Sequence, residues 1–390
     1  MRATNQLPAT HGGRQLVATF AITQTIGYGC LYYSFAVLLH AIAADLRATP
    51  AAVTGALTTA ILVQAAMAVP VGRWLDRRGV RALMTGGSAL GAGMLVAWSQ
   101  VDRVWQLYPV FAGLGVAMAM ALYEPATAVL VARFDAARRP RAILGMIVVA
   151  GFASTIFMPL TGWLNDRHGW RATLLTLAIL YAAVAIPLHW LVIRHPNHHA
   201  EPAPRRRAPV RDRGFWLLVI AFVAHAAAMS SMTVHLVGFL TSRGHPATFA
   251  ATVAGLLGAL SVTGRLLLTA VGGRIRLHRV VAAIFGLQAA AAFSLPLVAG
   301  STGGAVAGVI AFGLGFGIAS LATPQLLAER YGTTGYATIA GTLAAFVTLA
   351  KAGAPLAAAG LLATPSGYLT VLLAVGSACL VAVAGILTRG

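Results

Sequence analysis

The chain has 390 residues, of which 58% are hydrophobic and only 9% are charged. Soluble globular domains carry about a quarter charged residues, so this composition excludes a water-soluble fold and indicates a protein that lies in the lipid bilayer. The net charge of +19 does not indicate nucleic-acid binding, because the basic residues form short clusters between apolar runs and not one stripe or tail.

Apolar stretches long enough to cross a bilayer, which takes roughly 20 helical residues, recur along the whole chain. We predict an all-α membrane protein with twelve transmembrane helices, at residues 16–43, 51–73, 82–100, 106–132, 142–164, 172–193, 215–240, 248–272, 279–299, 303–328, 338–362 and 367–388. The segment 194–214 is rich in proline and arginine and is predicted to be a solvated cytoplasmic linker. It separates an N-terminal six-helix bundle, 1–193, from a C-terminal one, 215–390.

The positions of the arginines predict the orientation of the chain. Most of them fall in loops on one side if both termini are cytoplasmic, in agreement with the excess of Lys and Arg that cytoplasmic loops carry. We therefore expect a multi-pass protein of the inner (plasma) membrane with both termini in the cytoplasm, which functions as a monomer.

The two predicted bundles share short sequence matches at an offset of 196 to 200 residues. Gly113-Leu114-Gly115 recurs as Gly313-Leu314-Gly315, and Pro159-Leu160 recurs as Pro355-Leu356. Six helices per repeat give both copies the same orientation, and such pseudo-symmetric parallel repeats are typical of secondary transporters that bind substrate near the membrane midplane.

A charged segment, Gly72-Arg73-Trp74-Leu75-Asp76-Arg77-Arg78-Gly79-Val80-Arg81, follows the second predicted helix. It resembles the signature loop of the major facilitator superfamily, as does Gly169-Trp170-Arg171 before the sixth helix. Gly72 and Gly79 are expected to allow tight turns, and Asp76 to accept hydrogen bonds at the start of a neighbouring helix. The resemblance implies a gating loop, formed by Gly72, Asp76, Arg77 and Gly79, that helps latch the cytoplasmic side closed; the alternative is a solvated loop whose arginines only set topology.

Two basic residues fall inside predicted spans, where an ionisable group costs at least roughly 2.5–3.5 kcal/mol and usually has a function. Lys351, the only lysine of the chain, lies near the middle of the eleventh predicted helix, and Arg265 lies in the eighth. The planar fork of an arginine can hold a carboxylate through two hydrogen bonds. The excess positive charge at the membrane core therefore predicts an anionic substrate.

This basic pair resembles that of the oxalate:formate antiporter branch of the superfamily, and Arg265 alone resembles the helix-eight arginine of the monocarboxylate porters. Proton-linked monocarboxylate porters carry an acid one turn before that arginine, whereas this chain has Ser261 there. This chain therefore lacks the acid of that device for proton coupling.

Glu124 is the only acid deep within a predicted span, beside Tyr123 and Pro125. Because proline lacks an N–H, Pro125 is expected to leave the carbonyl of residue 121 without its usual donor. Glu124 is interpreted either as a counter-ion of Arg265 or Lys351 in the empty site or as a proton carrier. Tyr123 is included among the candidate substrate-binding residues.

Further polar candidates lie in the first and seventh predicted helices. Gln24, Tyr28 and Tyr32 follow one another at a spacing of four residues, which places them on one helix face; they are interpreted as lining a polar cavity or as packing aromatics. His225 is interpreted as a substrate ligand or as a packing histidine.

The chain has no nucleotide-binding loop, no zinc spacing and no nucleophile elbow, so we expect neither an enzyme nor a cofactor, and no catalytic or metal site. The expected function is a secondary active transporter of small organic anions, mono- or dicarboxylates, that works by alternating access as a proton symporter or an anion exchanger. A drug or metabolite efflux pump of the same fold is the alternative.

Overall fold

The computed structural model describes residues 11–193, 212–271, 275–362 and 364–388. This part of the chain is almost entirely helical, and one short π-helix, Gly29–Tyr33, separates α1 from α2. The α-helices are α1 (His11–Tyr28), α2 (Ser34–Asp45), α3 (Pro50–Arg78), α4 (Arg81–Ser99), α5 (Val104–Ala121), α6 (Tyr123–Arg133), α7 (Arg139–Ala150), α8 (Ala153–Val192), α9 (Arg213–Ser242), α10 (Ala247–Val271), α11 (Leu277–Val298), α12 (Thr302–Gly313), α13 (Ile318–Tyr331), α14 (Tyr336–Leu362) and α15 (Tyr368–Leu387).

Within these described residues, ten helical stretches are long and apolar enough to cross a membrane. One of them, Arg139–Val192, has 54 residues, which at 1.5 Å per residue is about 80 Å and exceeds two bilayer cores. It contains a non-helical residue, Gly169, whose φ is 75°, between the predicted fifth and sixth helices. The twelve-helix count remains a prediction.

Short polar residues and prolines set several helix starts. Thr49 accepts a hydrogen bond from the Ala52 amide before α3, which begins at Pro50. Ser301 accepts from the Gly304 amide at the start of α12, and Asp212 from the Gly214 amide at the start of α9. Side-chain oxygens at these positions satisfy N–H groups that the first helical turn leaves without partners.

The chain forms two compact units, Met1–Ala208 with Tyr331–Ala345, and Pro209–Arg330 with Phe346–Gly390. We call them the first unit and the second unit. The start of α14 is therefore part of the first unit, while its later residues are part of the second. The predicted bundle boundaries remain a prediction, and most of the predicted linker lies outside the described residues.

In the first unit, α3 and α4 pack on α5, α4 packs on α8, and α1 packs on α7 and α8. The large side chains at its centre are fully buried, among them Trp98, Phe111 and Tyr181. In the second unit, α11 packs on α15 and α12, and α9 packs on α15. Phe239, Phe312 and Leu295 contribute to its core.

Four of the long apolar stretches are interrupted, and in Arg139–Val192 a turn at residues 151–152 separates α7 from α8. The π-helix Gly29–Tyr33 interrupts the first stretch, and Leu122, with φ −93° and ψ −149°, separates α5 from α6. A turn at residues 314–317 separates α12 from α13. Such breaks release main-chain groups from the helical hydrogen-bond ladder, and these groups need other partners when they lie at membrane depth.

Candidate functional site

Arg265 of the second unit is fixed to one of these breaks. Its side chain is half-buried, and its Nε donates to the carbonyl of Gly317 across 3.1 Å. A Cβ atom on Gly317 would lie 2.6 Å from that Nε and 2.4 Å from the carbonyl oxygen of Ser261. Only glycine therefore lets the turn approach α10 closely enough to hold the guanidinium in this position.

The α12–α13 break is also held by an amide that the sequence analysis did not select. Gln288 of α11 is fully buried, and its Nε2 donates to the carbonyl of Phe312 across 2.8 Å. Because a carbonyl can only accept, this contact fixes the orientation of the amide. Its Oε1 then faces Nε2 of His225 at 3.1 Å, so His225 is the donor and carries a proton on Nε2.

His225 itself is only 1% exposed and is stacked on Phe285, with ring centroids 4.0 Å apart. Lys351 of α14 has an exposed side chain, and its charge acts on His225. The structure therefore links Lys351, His225, Gln288 and the break after Phe312 within the second unit. Whether His225 contacts a substrate remains a prediction, since its ring is enclosed by its neighbours in this conformation.

The corresponding break in the first unit has a similar amide partner. The predicted loss of a donor at residue 121 agrees with the structure, where Nε2 of Gln24 donates to the Ala121 carbonyl across 3.0 Å. Gln24 is fully buried, whereas Tyr28 and Tyr32 keep part of their surface accessible. Gln24 therefore does not fit the interpretation that these three side chains line one cavity. Its amide instead bonds a carbonyl at the break in the fourth predicted span.

Tyr28 and Tyr32 belong to a cluster of four tyrosines, which we call the tyrosine cluster; its members are Tyr28, Tyr32, Tyr33 and Tyr123. The ring of Tyr28 lies 4.6 Å from that of Tyr123, 6.4 Å from Tyr32 and 6.5 Å from Tyr33. Because the π-helix changes the spacing of residues that share a helix face, Tyr33 joins this group. An α-helical pattern does not predict the position of Tyr33. Glu124 is half-buried in the first turn of α6, and its charge acts on Tyr28.

Asp76 makes the contacts that were expected of the gating loop. Its carboxylate accepts from the amides of Ala337 and Thr338, at 3.1 and 2.8 Å, and from the Thr338 hydroxyl at 2.5 Å. These partners begin α14 and lie in the first unit. A carboxylate at a helix N-terminus is favoured by the helix dipole and by the unpaired amides there.

The glycines of this segment have different roles. Gly79 has a φ of 83° and ends α3, as expected for a turn glycine. The prediction of a tight turn at Gly72 is wrong, because Gly72 lies inside α3. A Cβ on Gly72 would lie 2.3 Å from the carbonyl oxygen of Ala337, so this glycine allows α3 to approach the start of α14. Arg77 is exposed.

The structure thus groups the candidates into two sets. The second unit holds Arg265, His225 and Lys351, and the first unit holds the tyrosine cluster with Glu124. Among the described residues, no group of three or more His, Cys, Asp or Glu side chains could hold a metal ion. Gln288, Gly317 and Tyr33 were missed, although an amide inside an apolar helix, as at Gln288, is a polar signal that could have been used.

Comparison with solved structures identifies the fold. The E. coli fucose:proton symporter superposes with a TM-score of 0.74 and 15% identity, over 96% of this chain and 98% of that chain. The human organic anion transporter MFSD10 gives a TM-score of 0.72 and 15% identity, over 96% of this chain and 99% of that chain. A bacterial homologue of the iron transporter ferroportin gives 0.75 and 13%, over 97% and 99%.

Comparison with curated sequences finds more similar relatives. Monocarboxylate transporter 4 of Rattus norvegicus is 27% identical over 288 residues, which cover 68% of this chain and 59% of the relative. Monocarboxylate transporter 3 of the same organism is 27% identical over 282 residues, covering 66% and 55%. The match thus spans somewhat over half the length of these relatives.

The family model of the Major Facilitator Superfamily matches residues 21–355. This match includes both sets of candidate residues and the Asp76 segment. Together with the all-helical fold, it shows a multi-pass membrane protein of a family whose members are transporters and not enzymes. The chain belongs to the Major Facilitator Superfamily.

Proposed function

We propose that this transporter moves small organic anions, mono- or dicarboxylates, by alternating access, as a proton symporter or an anion exchanger. The observation that carries the proposal is the placement of Arg265, whose Nε is bonded to the Gly317 carbonyl at a helix break. Nε supplies one of the five N–H donors of a guanidinium. This bond fixes the plane of the guanidinium. The two terminal nitrogens carry the other four N–H donors, which suit a carboxylate.

The charge balance of the second unit supports an anionic ligand. Its only acids are Asp212 and Glu329, and both lie at helix ends. Asp212 caps α9 and pairs with Arg330 at 3.6 Å, while Glu329 is exposed near the end of α13. The spans of this unit therefore carry more positive than negative charge, and a bound carboxylate would lower the electrostatic cost of Arg265 and Lys351 at membrane depth.

The relatives support the same class of substrate. Two of the proteins to which this chain is similar are named monocarboxylate transporters, and one structural neighbour is named an organic anion transporter. The latter likeness concerns the fold alone, because only 15% of its residues are identical.

Uptake by the purified full-length protein in proteoliposomes tests the proposal. The panel contains acetate, lactate, oxalate and succinate, with ethidium as a cationic dye that represents drug efflux. We expect uptake of at least one carboxylate, and we expect this uptake to fall tenfold or more in Arg265→Gln and in Lys351→Gln. We expect no flux of ethidium that carboxylates inhibit by competition. Arg279→Gln, an exposed arginine at the start of α11, is the matched control and retains uptake. Full carboxylate uptake by both site variants would refute the assignment.

A further inference from the structure

Arg81 is the first residue of α4, and its guanidinium lies on the ring of Trp190 near the end of α8, 3.9 Å from the ring centroid. Both residues belong to the first unit. In the part of the chain that the structure describes, no acid pairs with Arg81 and its Nε has no hydrogen-bond partner. Stacking orients the planar group and leaves the in-plane N–H donors of its terminal nitrogens available for an anion.

The junction of α4 and α8 around this stack contains further polar atoms without partners. Oγ1 of Thr85, one turn after Arg81 in α4, is buried and has no hydrogen-bond partner among the described residues. The same is true of Nε2 of His189, the residue before Trp190. His189 is only 1% exposed, and its other ring nitrogen, Nδ1, lies 2.8 Å from the Ser88 hydroxyl. Because buried polar atoms are nearly always hydrogen-bonded in folded proteins, such atoms at one helix junction favour a site for a polar group from outside the chain.

The surroundings of the stack carry positive charge. Arg77 and Arg78 are exposed in the last turn of α3, four and three residues before Arg81. The N-cap residue of α4 is Val80, whose side chain cannot accept a hydrogen bond, so the first amides of α4 keep the partial positive charge of a helix N-terminus. Asp76, the nearest acid in the sequence, is bonded to the amides that begin α14. The site therefore favours an anionic group such as a phosphate.

The surface that continues from Arg81 along α4 is apolar and open. Its exposed residues follow one another at spacings of four and three and so share one helix face; they are Ala82, Gly86, Ala89, Gly93 and Val96. All of them are small, and a Cβ on Gly93 would have no atom within 4 Å. Trp190 is itself 51% exposed, as is common for tryptophan at the interface of membrane and water. A ligand with an anionic head and a long apolar tail would match both parts of this surface.

We propose that the start of α4 and the end of α8 bind an anionic phospholipid, with its phosphate at Arg81, its headgroup beside Trp190 and one acyl chain along the exposed face of α4. This inference goes beyond the proposed function and does not depend on the transported substrate. A soluble phosphate shares the chemistry of the head, but the apolar face of α4 favours the lipid. A zwitterionic phospholipid fits less well, because its cationic nitrogen would lie close to the arginines of this segment.

Native mass spectrometry of the purified full-length protein tests the inference, because it measures the binding of single lipid molecules and the oligomeric state together. Dioleoyl phosphatidylglycerol and dioleoyl phosphatidylcholine have the same acyl chains and differ in the charge of the headgroup. We expect the first molecule of phosphatidylglycerol to bind tenfold or more tightly than that of phosphatidylcholine. An excess of inorganic phosphate, added as a competitor, should leave this preference unchanged.

Variants of the head and of the tail part of the site separate their contributions. Arg81→Gln should reduce the preference to less than threefold. Trp190→Leu removes the ring that orients the guanidinium and provides a second test, with phosphatidylglycerol bound several-fold more weakly. Gly93→Leu places a large side chain on the exposed face of α4 and should weaken both lipids without loss of the preference. Arg279→Gln, which removes an exposed arginine in the first turn of α11, is the matched control and keeps the affinity and the preference.

Three outcomes would overturn the inference. The first is an equal affinity for the two lipids, or a preference that Arg81→Gln and Trp190→Leu both retain. The second is displacement of phosphatidylglycerol by inorganic phosphate, which would assign the site to a soluble anion. The third is a dimer that Gly93→Leu converts to a monomer while lipid binding stays unchanged, which would assign the exposed face of α4 to a second copy of the chain.

Discussion

Gln24 and Ala121 are 97 residues apart in the chain, and the side-chain amide of Gln24 donates to the Ala121 carbonyl across 3.0 Å. In the second unit, Gln288 donates to the Phe312 carbonyl across 2.8 Å. Each unit thus uses a buried glutamine to satisfy a carbonyl that a helix break releases. Because unsatisfied main-chain groups are costly at membrane depth, these amides stabilise helix breaks that would otherwise be unfavourable.

The two glutamines should differ in their contribution to stability. Oε1 of Gln24 is buried without a hydrogen-bond partner in the part of the chain that the structure describes, whereas Gln288 is bonded at both ends. Gln24→Leu removes the unsatisfied Oε1 but leaves the Ala121 carbonyl without its donor, so the net change in the free energy of unfolding is small. Gln288→Leu leaves two partners without their bonds and should cost about 1–3 kcal/mol for each. The thermal unfolding temperature of the detergent-purified variants measures the difference.

Gln100→Leu is the control for both, because Gln100 is exposed and its side chain bonds its neighbour Ser99. It should unfold at the temperature of the unmodified protein. A Gln24→Leu variant that is destabilised as strongly as Gln288→Leu would contradict the comparison.

Particular residues show how far the sequence predicts this structure. Pro125 is sufficient to predict an unsatisfied carbonyl at residue 121, because the consequence of proline is local. The partner, Gln24, is distant in sequence and was instead assigned to a cavity by its helical spacing. The α-helical spacing of four residues does not continue after Tyr28, because a π-helix begins at Gly29. The local sequence gives no signal for the additional residue in the turn of that π-helix.

The same limit applies to the second unit. Arg265 and Lys351 are predictable because charge inside a span is rare. The Gly317 carbonyl that holds Arg265 was not predictable, because a glycine inside an apolar stretch gives no local signal of a helix break. The helix break precedes Pro324 and does not coincide with it, since Pro324 lies inside α13. Tertiary contacts and not the local sequence therefore determine where the guanidinium is anchored.

Gly317→Ala should weaken carboxylate binding without large loss of the fold. The added methyl group would lie 2.6 Å from Nε of Arg265, so the guanidinium must move away from its anchor. We expect a KM for carboxylate uptake at least several-fold higher, with a smaller change in unfolding temperature. Gly286→Ala is the matched control, because nothing lies within 4 Å of a Cβ at that position in α11. An unchanged KM in Gly317→Ala would show that the anchor does not position Arg265 for substrate.

Asp76→Ala should slow turnover while the protein still inserts into the membrane. The carboxylate holds the first residues of α14, and the later residues of this helix belong to the second unit. Loss of hydrogen bonds to a charged acceptor costs about 1.5–3 kcal/mol each, so the state that contains them becomes less populated. The initial rate of uptake at saturating substrate measures turnover, and Asp166→Asn, an exposed acid, serves as the control. Normal turnover of Asp76→Ala would count against the latch.

His225 and Gln288 should act as one unit. The bond between Nε2 of His225 and Oε1 of Gln288 is buried, so either single replacement by leucine leaves the other side chain without this partner. The double replacement removes both polar groups together. We expect the unfolding free energies to be non-additive by about 0.5–3 kcal/mol, as measured by denaturant unfolding of the two single variants and the double variant. Additive effects would mean that the contact contributes little to stability.

The central claim is that Arg265 binds the carboxylate of the substrate, with Lys351 as the second positive group. Equilibrium binding of the most strongly transported carboxylate to the purified protein, by isothermal titration calorimetry, tests it most directly. We predict a Kd at least tenfold higher in Arg265→Gln than in the unmodified protein, and an unchanged Kd in Arg279→Gln. An unchanged Kd in Arg265→Gln, with the protein correctly folded, would contradict the claim.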